Sequence, residues 1–104
     1  MSSAVEAFAI FKTPTIEVWA KPLANDDWAI AILNRTDQDR KQDLTWPEYN
    51  VFDDFTLRGL NFNEDIYSIQ DLWTGNNIGT TDKNLKVTVS ARDVLIYRLS
   101  LKNK

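Results

Sequence analysis

The stretch that decides the fold runs from Ile16 to Leu33 and reads IEVWAKP (16–22), LANDD (23–27) and WAIAIL (28–33). Ile16, Val18 and Ala20 alternate with Glu17, Trp19 and Lys21, the period of two that a half-buried strand requires. Pro22 lacks a backbone N–H and closes that strand, and Asn25-Asp26-Asp27 supplies a turn. Trp28 to Leu33 is apolar at nearly every position, which is expected of a strand covered on both faces or lying at a sandwich centre. The two strands predict an antiparallel hairpin held by several cross-strand side-chain pairs.

Short β-branched and aromatic runs recur on the C-terminal side, and no long helical periodicity interrupts them. Asn34 to Asp43 reads as a polar connection, and Leu44 to Pro47 as a strand end. Pro47 to Asp54 reads as one helical turn around Tyr49, Val51 and Phe52. Phe55 to Arg58 reads as extended, and Gly59 to Asp65 as a loop. Ile66 to Trp73 reads as a strand ending in the turn Thr74-Gly75-Asn76-Asn77, where Gly and Asn tolerate positive φ. Ile78–Thr81, Leu85–Val89 and Val94–Leu101 complete the set. The pattern predicts an all-β fold, an antiparallel β-sandwich of about seven or eight strands with Greek-key-like connections. It is expected to form a single domain over 1–104 with an ordered core at about 16–101.

The chain has 104 residues, 43% hydrophobic and 26% charged, an ordinary globular balance. At this length folding buries roughly 65% of the unfolded chain's surface, enough for a core without metal or disulfide support. With no cysteine, thiolate zinc sites, thiol catalysis and disulfides are excluded. The absence of histidine removes the usual general base near neutral pH and the commonest metal ligand. A net charge of −3 with scattered lysine and arginine gives no basic stripe, so nucleic acid is not an expected partner. No apolar run approaches the roughly 20 residues of a bilayer-spanning helix, so a membrane is not expected either. Ala7 to Phe11 is apolar but lacks the basic leader of a secretion signal. The triplet Asn34-Arg35-Thr36 fits the N-glycosylation pattern, which such triplets often do by chance.

Glu17-Val18-Trp19-Ala20-Lys21-Pro22-Leu23, followed by Trp28-Ala29-Ile30-Ala31-Ile32-Leu33-Asn34-Arg35, resembles the carboxy-terminal domain of melibiase-type α-galactosidases. Tyr67-Ser68-Ile69-Gln70-Asp71-Leu72-Trp73 with Gly75 and Gly79 resembles that family's Asp-Leu-Trp strand. Asp93-Val94-Leu95-Ile96-Tyr97-Arg98-Leu99 resembles its closing strand. The resemblance implies a small antiparallel sandwich that follows a catalytic (β/α)₈ barrel. The family's two catalytic aspartates sit on that barrel, so no catalytic residue carries over to this chain. It departs from the family at Arg92-Asp93, where the closing turn often has His-Gly, and over Val5 to Pro14. The implied role is a non-catalytic accessory domain that packs on and stabilises the barrel. An extracellular or secretory-pathway setting stays open on the same grounds.

Candidate sites follow from residue chemistry. The acidic pairs Asp26-Asp27, Asp53-Asp54 and Glu64-Asp65 read as solvated turn residues, because neighbours on a strand point to opposite faces. Asn61, Asn63 and Asp65 alternate as at the start of a calcium loop, but the glycine and distal glutamate of such a loop are not in place. No catalytic, metal or cofactor site is expected. Trp28 and Trp73 read as core, and Asp71 as an acceptor of buried hydrogen bonds. Trp19, Trp46 and Tyr49 are the candidates for an exposed aromatic platform that stacks a sugar. The alternative roles are therefore an independent carbohydrate-binding module for galactosides, or a protein-interaction domain whose apolar patch is covered by self-association.

Overall fold

A computed structural model describes residues 7–53 and 58–102. Ten strands run through them: β1 (Phe8–Lys12), β2 (Ile16–Pro22), β3 (Trp28–Asn34), β4 (Arg40–Leu44), β5 (Val51–Asp53), β6 (Arg58–Leu60), β7 (Tyr67–Asp71), β8 (Asn77–Thr80), β9 (Leu85–Val89) and β10 (Val94–Leu101). Six form one sheet in the order β1-β2-β3-β10-β7-β8, while β4 pairs with β9 and β5 with β6. Every pairing is antiparallel. After β8 the chain leaves the large sheet to pair β9 with β4, then returns as β10 between β3 and β7. That crossing gives the β-sandwich its Greek-key-like connection.

The hairpin of β2 and β3 sets the register of the large sheet. Val18 lies opposite Ile32, Ala20 opposite Ile30 and Pro22 opposite Trp28. These side chains point inward with Ile69, Tyr97 and Leu99 from β7 and β10. Leu44 of β4, Val89 of β9 and Leu60 of β6 belong to the same buried cluster. Asn25 and Asp26 in the connecting turn adopt left-handed φ values of 61° and 64°, a conformation that Asn and Asp accept more readily than most residues.

Several local expectations are corrected. Phe8–Lys12 is a strand whose alternation is broken by an irregularity between Ala9 and Phe11. Arg40–Leu44 is a strand rather than a connection, because Arg40, Gln42 and Leu44 turn inward against β9 while Lys41 and Asp43 face water. The helical turn falls at Trp46–Tyr49 as a 3₁₀ turn, and Val51–Asp53 continues as a strand. Gly59 and Leu60 belong to β6. The strand after Ile66 stops at Asp71. The extended reading of Phe55–Arg58 lies outside the described residues except at Arg58.

Tyr49 and Tyr97 are both 3% exposed, and each phenol sits above its ordinary pKa of 10.0. Burial is the main cause in both. For Tyr49 a hydrogen bond from Gln42 opposes the shift and the charges of Glu48 and Asp43 add to it; for Tyr97 the charge of Asp71 adds to it. A folded pKa above the unfolded one means that the stabilisation is complete below the unfolded value and is lost as pH rises through the folded value. The urea midpoint is therefore expected to show no loss from these phenols up to about pH 10 and a fall above it. A Tyr49→Phe/Tyr97→Phe double variant should fall less steeply. An equal fall in the double variant would show that other groups drive alkaline unfolding.

Candidate functional site

The aromatic residues divide differently from their sequence reading. Trp28 is 1% exposed in the centre of the core. Trp46 and Tyr49, expected at an exposed platform, are 1% and 3% exposed. A 3₁₀ turn has three residues per turn, so positions 46 and 49 lie on one side, here the inner side. Trp46 packs against Phe62 with ring centroids 5.1 Å apart, and Tyr49 meets Phe11 edge-on at 5.5 Å. The Nε1–H of Trp46 has no hydrogen-bond partner among the described residues.

Trp73, expected in the core, is 63% exposed. The reason lies at Asp71, whose Oδ1 accepts the backbone N–H of Trp73 at 2.8 Å and of Thr74 at 3.4 Å. This Asx-type turn ends the strand and swings Trp73 outward. The indole is nevertheless anchored, because its Nε1–H donates to the Val94 carbonyl at 3.1 Å. Its chain neighbour Leu72, and Ile78 on β8, are 46% and 40% exposed. Asp71, expected to accept buried hydrogen bonds, instead accepts exposed ones in this turn.

Trp19 is half-buried on the outer face of β2. Its Nε1–H donates to Glu17 Oε1 at 2.8 Å. The other oxygen of Glu17 accepts from Arg35 at 3.2 Å and lies 4.0 Å from Lys12 Nζ. Glu17 is outward-facing by alternation, yet only 3% exposed because these partners cover it.

Several other carboxylates have their own partners. Asp27 pairs with Arg98 at 2.7 Å, and Asp37 with Arg92 at 2.6 Å. Asp82 accepts from the Thr80 hydroxyl, which, with a smaller contribution from Lys83, holds its pKa below the ordinary value. Asn61 caps its own turn, its Oδ1 accepting from the Asn63 N–H at 2.9 Å. Among the described residues no three acids gather into a group able to hold a metal ion. Asp54 lies outside the described residues.

Asn34 is the polar centre that the sequence reading overlooked. It is 1% exposed, and its Nδ2 reaches the carbonyls of Gln38, Val89 and Ser90 at 2.8, 2.9 and 3.1 Å. Its Oδ1 accepts from the N–H and hydroxyl of Thr36. The Asn34-Arg35-Thr36 triplet therefore links the end of β3 to β9 in the second sheet, and its amide is engaged inside the fold rather than offered as a glycan acceptor.

The closing turn, where Arg92-Asp93 departs from the family pattern, puts Arg92 at a left-handed φ of 56°. That conformation is unfavourable for a side chain of this kind. The Arg92–Asp37 ion pair and the Ala91 N–H bonded to Asp39 Oδ1 at 3.0 Å hold the turn in place.

An antiparallel sandwich with ten strands among its described residues and an exposed tryptophan at one hairpin end belongs to the class of β-sandwich modules. The particular family follows from comparison: the chain belongs to the α-galactosidase C-terminal β-sandwich domains, whose family model matches residues 13–99. α-Galactosidase A of Cellvibrio japonicus (strain Ueda107) is 28% identical over 85 residues, covering 82% of this chain and 21% of that protein. The chain thus spans about a fifth of the length of that curated relative. α-Galactosidase I from Mortierella vinacea shares the fold with a TM-score of 0.69 and 21% identity, over 94% of this chain and 24% of its own. An α-galactosidase from Saccharomyces cerevisiae, solved with raffinose, gives 0.70 and 20%, over 92% and 32%.

Proposed function

We propose that this chain is a non-catalytic accessory sandwich of an α-galactosidase-like glycoside hydrolase, and that it packs on and stabilises a catalytic (β/α)₈ barrel. The observation that carries this reading is the family match over residues 13–99. Beside it, Leu72, Trp73 and Ile78 near the β7–β8 turn and, separately, Phe52 on β5 are 40–63% exposed, and apolar side chains left uncovered in a group mark an interaction site. The carboxylates argue in the same direction. A retaining glycosidase needs two carboxyl groups roughly 5 Å apart facing the sugar, whereas Glu17, Asp27, Asp37 and Asp71 each serve separate local bonds. The test uses the Cellvibrio α-galactosidase A with its matching 85-residue segment deleted or replaced by this chain. Replacement should lengthen the half-life of activity at elevated temperature relative to deletion; equal half-lives would count against the role.

A second reading, a galactoside-binding module, is favoured by one feature, the exposed and anchored indole of Trp73. The apolar face of a pyranose stacks on such a ring. Titration with galactose and melibiose followed by NMR would then shift the indole signal of Trp73, or of half-buried Trp19, and leave Trp46 and Tyr49 unmoved. No shift at millimolar sugar would remove this reading.

A further inference from the structure

The two outer faces of the sandwich differ in chemistry. On the small sheet, β4 and β9 present Lys41, Asp43, Lys86 and Thr88 to water. On the large sheet a single row crosses the outer face. Ala9 lies opposite Trp19, Trp19 opposite Ala31 and Ala31 opposite Ile96, and the Leu72 N–H donates to the Ile96 carbonyl. Five residues separated by four inter-strand steps of about 4.8 Å make an apolar strip of about 19 Å. None of the five packs against the core.

The composition of β3 makes the same point. Trp28, Ile30 and Ile32 account for its inner face, yet Ala29, Ala31 and Leu33 make the outer face apolar as well. Such continuous apolar runs belong to strands covered on both sides, and the described residues cover only one. Charged groups frame the strip: Lys21 and Arg98 on one side, and the Glu17–Arg35 pair on the other, where Glu17 also fixes the edge of the Trp19 ring. An apolar centre with a polar rim is the anatomy of a protein interface.

We propose that the outer face of the six-stranded sheet, centred on the strip from Ala9 to Leu72, is the surface that seats this domain on the catalytic domain. The inference rests on the accessory reading above and adds which face docks. The occupant follows from the relatives: the matched segment is 21% of the Cellvibrio protein and 32% of the yeast chain, so most of each polypeptide lies outside the sandwich, which the family places at the C-terminus. The charged β4–β9 face remains in water.

The test compares three variants in the Cellvibrio chimera that carries this chain, with each variant's melting also followed in the lone chain by circular dichroism. Ala31→Arg and Leu72→Lys should each lower the chimera's midpoint by about 5 °C or more, while Thr88→Arg on the opposite face shifts it by about 1 °C or less. Leu72 is exposed, so Leu72→Lys keeps the comparison readable if Ala31→Arg disturbs β3 itself. Loss of stability from Thr88→Arg but not from the other two overturns the choice of face and leaves the accessory role standing. An unmodified chimera no more stable than the truncated enzyme overturns the accessory role and the docking face with it. A lone chain that sediments as a dimer dissociated by Leu72→Lys assigns the strip to a second copy and overturns the proposal.

Discussion

Replacing Asn34 by alanine is expected to lower the unfolding free energy by about 3 kcal/mol, because it strands several buried partners at once. The side chain of Asn34 satisfies three backbone carbonyls and the Thr36 N–H, and it does so between the two sheets. An unsatisfied buried polar group costs about 1–3 kcal/mol, and entry of water at the partly exposed Gln38 and Ser90 side relieves some of that. For a domain of this size the melting midpoint should drop by about 15 °C. Asn34→Asp should be at least as damaging, since it keeps Oδ1 but sets a second oxygen against three carbonyls. A loss below about 1 kcal/mol for Asn34→Ala would mean that the link between the sheets is not a significant source of stability.

Trp28→Ala is the second large effect, expected to cost about 3–5 kcal/mol through lost transfer energy and the cavity left behind. Trp28 is 1% exposed on the central hairpin, opposite Pro22 on one side and Leu99 on the other. With a total stability of about 5–15 kcal/mol, that loss takes the domain close to unfolding at ambient temperature. Trp73→Ala gives the contrast. The ring is 63% exposed and its single bond to Val94 is at the surface, so the change should cost about 1 kcal/mol or less. Chemical denaturation of both variants checks the pair, and comparable losses would contradict the burial assigned to the two indoles.

The contrast between these tryptophans shows what was legible in the amino-acid order. Period-two alternation exposed β2, β9 and β10, and with them the central hairpin and the sandwich class, because Glu17 and Lys21, Lys86 and Thr88, and Arg98 and Ser100 alternate with core-facing apolar residues. β4 escaped detection because Arg40 and Gln42 point inward, so the dry face of that strand is itself polar. β1 escaped because its irregularity between Ala9 and Phe11 breaks the alternation. Trp46 and Tyr49 sit in a 3₁₀ turn, whose period of three lies outside both the strand and the α-helix patterns. Trp73 was misplaced because the strand was carried two residues past Asp71, whose side chain starts the turn earlier by accepting from the Trp73 and Thr74 N–H groups. The role of Asn34 went unread because it depends on Val89 and Ser90, more than fifty residues away, which local pattern does not bring together.

For the proposed surface, the apolar run of β3 was read as a strand covered on both faces or lying at a sandwich centre, and the structure puts Ala29, Ala31 and Leu33 on its partly exposed outer side. The framing charges were not visible, since Glu17 and Arg35 meet only across the hairpin.

The proposed non-catalytic role of this sandwich is tested most directly by assaying the purified, folded 104-residue chain for release of galactose from melibiose and from a chromogenic α-galactoside. The expected result is no release above the buffer blank at any pH where the chain is folded. Turnover that co-purifies with the chain and is lost in an Asp or Glu variant of it would contradict the accessory role and require a carboxylate pair within the sandwich.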